Sequence, residues 1–167
     1  MSGAVEEKML ENKAVKEAEN RKRQETELLI LKEIRFVEED IVIAIEKALD
    51  VGEYPKDKDG RSKLEASQFR NLVRVAETTE SPEVVKNFLR YQVGRDGKWG
   101  RGDKSLAELI VRDIDSALKT YAGEIAKTAD SNDNQRIRRI HMELIRRYLG
   151  YGARRLKYLN PEKRKVS

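Results

Sequence analysis

Residues Gln135 to Leu159 read QRIRRIHMELIRRYLGYGARRLKYL. Ile137, Ile140, Leu144, Tyr148 and Tyr151 step through this stretch by three or four residues, the period of a helix with one buried side. Asp130 to Asn134 is a polar turn before it, and Pro161 ends it, because the residue ahead of a proline is driven out of the helical region. Gly150 and Gly152 interrupt the helix, each costing up to about 1 kcal/mol relative to alanine, which points to a place where another backbone comes close. The remaining faces carry Arg136, Arg139, Arg146, Arg147, Arg154 and Lys157. Arg136, Arg139, Arg146 and Lys157 lie close to one stripe, interrupted by Glu143. A charge run of this kind is ordinarily a solvated face. The preference for arginine, whose planar fork grips phosphate and stacks on bases, makes a polyanion-binding surface the competing reading.

The same helical period recurs upstream. Ser105 and Glu108 form a capping box at the start of a helix whose buried stripe is Leu106, Leu109, Ile110, Ile114, Leu118, Tyr121 and Ile125. Ser81-Pro82-Glu83 begins another, with a serine cap, proline at the first helical place and an acid near the positive dipole end. Val84, Val85, Phe88 and Leu89 make that helix amphipathic to about Val93. Leu64, Phe69, Leu72, Val73 and Ala76 outline a shorter one. Leu28, Leu31, Ile34, Ile41, Ile45 and Leu49 mark a long helix ending near Asp50. From Val5 to Arg23 the chain is mostly alanine, glutamate, lysine and arginine, so a helix there has almost nothing to bury.

No run alternates in the manner of a strand. The expected fold is all-α, a single-domain helical bundle of about five helices with a long N-terminal helix. Residues 1–27 form a polar extension, helical or partly disordered, residues 28–160 the bundle, and residues 161–167 a basic tail.

Two connections hold possible chemistry. Val51 to Ser62 contains Asp57-Lys58-Asp59-Gly60, similar to a calcium loop, but a loop with Gly60 at its sixth place needs an acid at Pro55 and a glutamate at Ala66. Gly94 to Gly102 has four glycines in nine residues and reads as a mobile loop. Arg95, Lys98, Arg101 and Lys104 gather there around Trp99, the only tryptophan, which either stacks on a base or plugs a core edge. Gly97-Lys98-Trp99-Gly100 matches the GxxG of an RNA-binding module whose fold requires strands.

Composition sets the remaining bounds. The chain has 167 residues, 39% of them charged and only 6% aromatic, which suits slender helices with much solvated surface. Its net charge of +5 is unevenly spread. Met1 to Gly60 carries 11 basic and 16 acidic residues, and Arg61 to Ser167 carries 24 basic and 14 acidic. A basic body raises the expectation of a polyanionic partner, and an acidic front end that of a protein neighbour. Cysteine is absent, which excludes thiolate catalysis and cysteine-ligated zinc and makes a reducing, cytoplasmic setting the expectation. No apolar run approaches a membrane span, and Met1 to Asn20 lacks a signal peptide's apolar stretch. His141 is the only histidine, Asp113 and Asp115 diverge on a helix, and no nucleophile motif is present, so neither an active site nor a metal or other cofactor is expected.

Three stretches taken together carry a resemblance: Ser67-Gln68-Phe69-Arg70-Asn71-Leu72, Arg90-Tyr91-Gln92-Val93-Gly94-Arg95, and Arg146-Arg147-Tyr148-Leu149-Gly150-Tyr151-Gly152. In order and spacing from about Ile34 to Leu159, the chain resembles the small subunit of type III-A (Csm-type) CRISPR effector complexes. The resemblance implies a non-catalytic subunit of an antiviral ribonucleoprotein, present as copies in a short row beside other effector subunits. Such a subunit lines the groove where guide RNA pairs with target RNA and holds the strands by phosphate contacts while other subunits cut. Arg70, Arg90 and Arg95 are the basic members of the matched motifs. With Lys98, Arg101, Arg136, Arg139, Arg146, Arg147, Arg154 and Lys157 they make the expected RNA-binding set. A helical protein-binding adaptor with an idle basic face is the alternative. The chain departs from the family pattern at Met1 to Arg23, which precedes the usual start, at the enlarged Gly97 to Gly102 loop, and at Glu65 and Ala66, which replace small hydroxyl residues and are expected to weaken the following helix cap.

Overall fold

The computed structural model describes residues 2–131 and 133–161. The chain is an all-α bundle with a long N-terminal helix: α1 (Ser2–Val51), α2 (Ala66–Thr78), α3 (Pro82–Asp96), α4 (Leu106–Asp113), α5 (Lys119–Thr128) and α6 (Asn134–Leu159). α4 and α5 are one continuous rod joined by a π-helical turn, Ile114–Leu118, so the bundle has five rods, as the periodicity predicts. No strand occurs among the described residues, where only isolated bridges pair Glu53 with Ser105 and Lys56 with Ser62. The tail residues 162–167 lie outside the described residues.

α1 is one unbroken helix where the sequence suggested an extension and then a helix. Its first half is high-propensity alanine, glutamate, lysine and arginine with no breaker after Gly3, so nothing stops the helix there. Burial begins only at Ile30 and continues through Ile34, Ile41, Ile45, Ala48 and Leu49, while Ser2 to Glu25 is exposed throughout. At about 1.5 Å per residue, that exposed arm is roughly 35 Å long.

α6 is the central strut, packed on α1, α2 and α5. Its buried residues include Ile140, Leu144 and Tyr148 from the expected stripe, but also Met142, Ile145, Leu149 and Leu156. Ile137 and Tyr151 are only half-buried. The buried face is wider than one stripe because neighbours flank α6 on several sides.

Most polar groups inside the bundle are matched, the exceptions among the described residues being Trp99 Nε1 and Arg155 Nε. Tyr148 donates its hydroxyl hydrogen to Asp113 Oδ2 at 2.6 Å. His141 Nε2 lies 2.7 Å from Ile114 O, the first carbonyl of the π-helical turn, and therefore acts as the donor. Burial pushes the His141 imidazole below its ordinary pKa, the Ile114 hydrogen bond opposing and Lys119 adding to the depression. Asp115 points the other way from Asp113, to Lys86 Nζ at 2.7 Å, so these two carboxylates diverge as their spacing predicts. Burial would lower the Lys86 ammonium, but its hydrogen bonds to Asp115 and Glu83 hold it above its usual value.

Candidate nucleic-acid interface

α2 begins at Glu65, which forms a capping box with Gln68: Glu65 N donates to Gln68 Oε1 at 3.1 Å. In place of a hydroxyl cap, the start of α2 is held by Gln68, whose side chain reaches back to the Glu65 backbone while its own N–H meets Glu65 O at 3.0 Å. The same Gln68 amide donates from Nε2 to Asp96 Oδ2, 3.2 Å away at the end of α3. One glutamine thus fixes the start of one helix and ties it to the end of the next. Phe69, the following residue, is fully buried against Gly152 of α6. Asn160, just past α6, accepts from Ser62 N and donates to Ser62 O and Leu64 O, at 3.0, 3.0 and 3.2 Å. The start of α2, the end of α3 and the last turns of α6 therefore meet at one end of the bundle.

The loop expected to be mobile is pinned there. α3 runs through Gly94 to Asp96, and Gly97 closes it with φ of 67°. Gly100 has φ of 79° and lies so close to the Glu53 carbonyl that an added Cβ would sit 2.1 Å from that oxygen. Hydrogen bonds from Ala107 N to Trp99 O, Glu53 N to Lys104 O and Leu106 N to Glu53 O fasten the segment. Trp99 is fully buried with its ring 5.1 Å from that of Phe69. It plugs the core, and the base-stacking reading of Trp99 is withdrawn because neither face is accessible.

The eleven expected residues divide by what their side chains already hold. Arg101 Nη2 donates to Val93 O at 3.2 Å and Gly94 O at 3.4 Å, covering the last carbonyls of α3. Arg146 donates from Nε to Ala76 O at 2.8 Å and from Nη2 to Thr79 O and Glu80, both at 3.0 Å, which fastens the end of α2 to α6. Arg147 bridges Glu38 and Glu143 at 2.8 and 3.0 Å, and Arg136 pairs with Glu27. The Tyr151 hydroxyl also donates to Glu38, and that bond, with Arg147 beside it, holds the Glu38 carboxyl below its usual pKa despite partial burial. Arg136, Arg146 and Arg147 thus serve the bundle.

Arg70, Arg90, Arg95 and Arg139 are exposed and have no ion-pair or hydrogen-bond partner for their guanidinium groups among the described residues. The Lys98 side chain is half-buried, Lys157 is exposed, and exposed Arg154 lies with its guanidinium carbon 5.6 Å from the Tyr151 ring centre.

Arg70 lies near the start of α2, Arg95 and Lys98 at the end of α3, and Arg154 and Lys157 on the last turns of α6. Arg136, Arg138, Arg139 and Arg146 line a groove of about 610 Å³ between α1 and α6, together with Glu27, Glu80 and Glu143. Arg138, outside the expected set, is exposed beside Arg139. Gly152 is the only one of the two α6 glycines with a close neighbour: an added Cβ would meet Phe69 Cζ at 2.5 Å and Ile45 Cγ1 at 2.8 Å, whereas nothing lies within 4 Å of one at Gly150. The expected approaching backbone is therefore replaced by side chains of the same chain.

Among the described residues no cluster of three or more metal-ligating side chains occurs, and no helix is long and apolar enough to cross a membrane. Comparison with family models, with curated proteins and with solved structures returns no match.

Proposed function

We propose that the chain is a non-catalytic RNA-backbone-binding subunit of a type III CRISPR ribonucleoprotein, working in the cytoplasm beside other effector subunits and further copies of itself. The observation that supports this reading is the convergence of the three resembling stretches. The Gly152–Phe69 contact joins the first stretch to the third, and the Gln68–Asp96 hydrogen bond ties the first to the residue that follows the second, with Arg70, Arg90 and Arg95 left exposed and uncommitted. Uncommitted guanidinium groups on a rigid helical frame can each take a phosphate through two parallel N–H donors, giving sequence-independent binding that weakens as salt rises. Arg139 and Arg154 extend the candidate set, and Arg101, Arg136, Arg146 and Arg147 hold the frame on which it is displayed.

The test is charge reversal. Arg70→Glu, Arg90→Glu and Arg95→Glu together should abolish binding of labelled RNA, measured alone and with the partner complex, while helicity and thermal unfolding stay as in the wild type. Undiminished RNA binding by a folded triple variant rejects the reading.

A protein-binding adaptor is the second reading, favoured by the arm of α1, where Val5, Met9, Leu10 and Val15 are 55–67% exposed. It predicts that the triple variant joins its complex and protects RNA as the wild type does, whereas the RNA-binding reading predicts assembly without protection.

A further inference from the structure

On the last turns of α6 the residues Tyr151, Arg154, Arg155 and Tyr158 follow the spacing i, i+3, i+4, i+7, which sets all four side by side on the helix surface. With Val42 and Glu46 of α1 they line a hollow of about 280 Å³. Each tyrosine has an arginine over its ring: Arg154 lies 5.6 Å from the Tyr151 centre and Arg155 5.3 Å from that of Tyr158. The two arginines are held differently. Asp50 receives Arg155 Nη2 at 3.3 and 3.4 Å, which steadies the guanidinium against Tyr158, whereas Arg154 is exposed and has no carboxylate partner among the described residues. Arg155 Nε is buried and has no hydrogen-bond partner among the described residues. Tyr158 is 73% exposed, the largest exposure of any aromatic or large aliphatic side chain among the described residues.

Such an aromatic ring, steadied from one side by a fixed cation and open elsewhere, is a stacking platform. We infer that the Tyr158 ring takes an unstacked nucleobase of single-stranded RNA, with Arg154 on the neighbouring phosphate and Glu46 accepting a hydrogen bond from a base N–H or a ribose hydroxyl. Single-stranded binders use this combination, since every base has a π-face and stacking is indifferent to sequence. The inference rests on the RNA-binding reading above and adds that the end of α6 holds a base as well as the backbone. Trp99 cannot serve, being buried, so Tyr158 is the aromatic that the α6 end offers.

The experiment titrates the full chain with fluorescein-labelled oligoadenylate and with an abasic oligomer of equal length and charge. The wild type should bind oligoadenylate more tightly. Tyr158→Ala should weaken oligoadenylate binding about tenfold and leave abasic binding unchanged, and Tyr158→Phe, which keeps the ring, should restore it. Equal affinity of Tyr158→Ala and wild type for oligoadenylate, or an equal loss on both oligomers, overturns the stacking site while leaving the phosphate contacts standing. No binding of either oligomer by the wild type overturns the stacking site and the RNA-binding reading together. Because Tyr158 is so exposed, its alanine variant should retain the fold, which circular dichroism checks.

Discussion

Replacing Gly152 by alanine adds one methyl group at the point where α6 crosses α1 and α2. That carbon would sit 2.5 and 2.7 Å from two ring atoms of Phe69 and 2.8 Å from Ile45 Cγ1, and both neighbours are fully buried. Carbon atoms pack best near 3.5–4.0 Å, so the methyl intrudes by about 1 Å on three atoms that have nowhere to go. Overpacking of this kind costs about 1–3 kcal/mol. The helix gains up to about 1 kcal/mol from losing a glycine, so the net loss is about 0–2 kcal/mol. Gly150→Ala is the control: with no atom within 4 Å of its Cβ, only the gain remains. The helix gain is common to both, so the two variants should differ by the overpacking cost, roughly 1–3 kcal/mol, or roughly 3–10 °C in thermal midpoint for a domain of this size. Thermal unfolding followed by circular dichroism, with urea titration beside it, reads the difference. A Gly152→Ala protein as stable as Gly150→Ala would refute the packing described at the α6 crossing.

Two further outcomes follow from polar groups that are buried or partly buried. Arg146→Leu leaves the Ala76 and Thr79 carbonyls without their donor and should destabilise the fold by about 1–3 kcal/mol, read by urea unfolding, with little effect if Arg146 only faced solvent. His141 has a lowered folded-state pKa, so its contribution to stability is fully present above the unfolded value of 6.5 and is lost as pH falls from there through the folded value. Wild-type stability should therefore decline on acidification below about pH 6.5, and His141→Gln, which has no group titrating there, should show a smaller decline over that range. Identical pH profiles for the two proteins would remove His141 from the account.

The fold was largely readable because apolar spacing governs helices, and the bundle contains little else. Ser81-Pro82-Glu83 marked the start of α3, and the stripe from Leu106 to Ile125 marked one continuous rod, since neither needs distant partners to be recognised. The π-helical turn at Ile114–Leu118 left no mark in that stripe, whose three- and four-residue steps run through it unbroken. At Glu65 the missing hydroxyl was legible, but not the compensation, in which the Gln68 side chain turns back to the Glu65 N–H. The site was legible as a list of arginines but not as a surface. Charge does not reveal whether Arg146 meets solvent or two backbone carbonyls, nor that Arg147 is held by Glu38, 109 positions away. Trp99 illustrates the same limit, its glycine-rich setting suggesting mobility while Glu53 and Lys104 fasten it from outside.

The most direct measurement is the salt dependence of RNA affinity for the wild type and for the triple variant Arg70→Ala, Arg90→Ala, Arg95→Ala. If each arginine neutralises one phosphate, log K should fall linearly with log salt for the wild type. The triple variant's line should be shallower by about 2, three contacts at roughly 0.7 each on single-stranded RNA. Parallel lines for the two proteins, or a wild-type affinity indifferent to salt, would contradict a phosphate-gripping face formed by these three arginines.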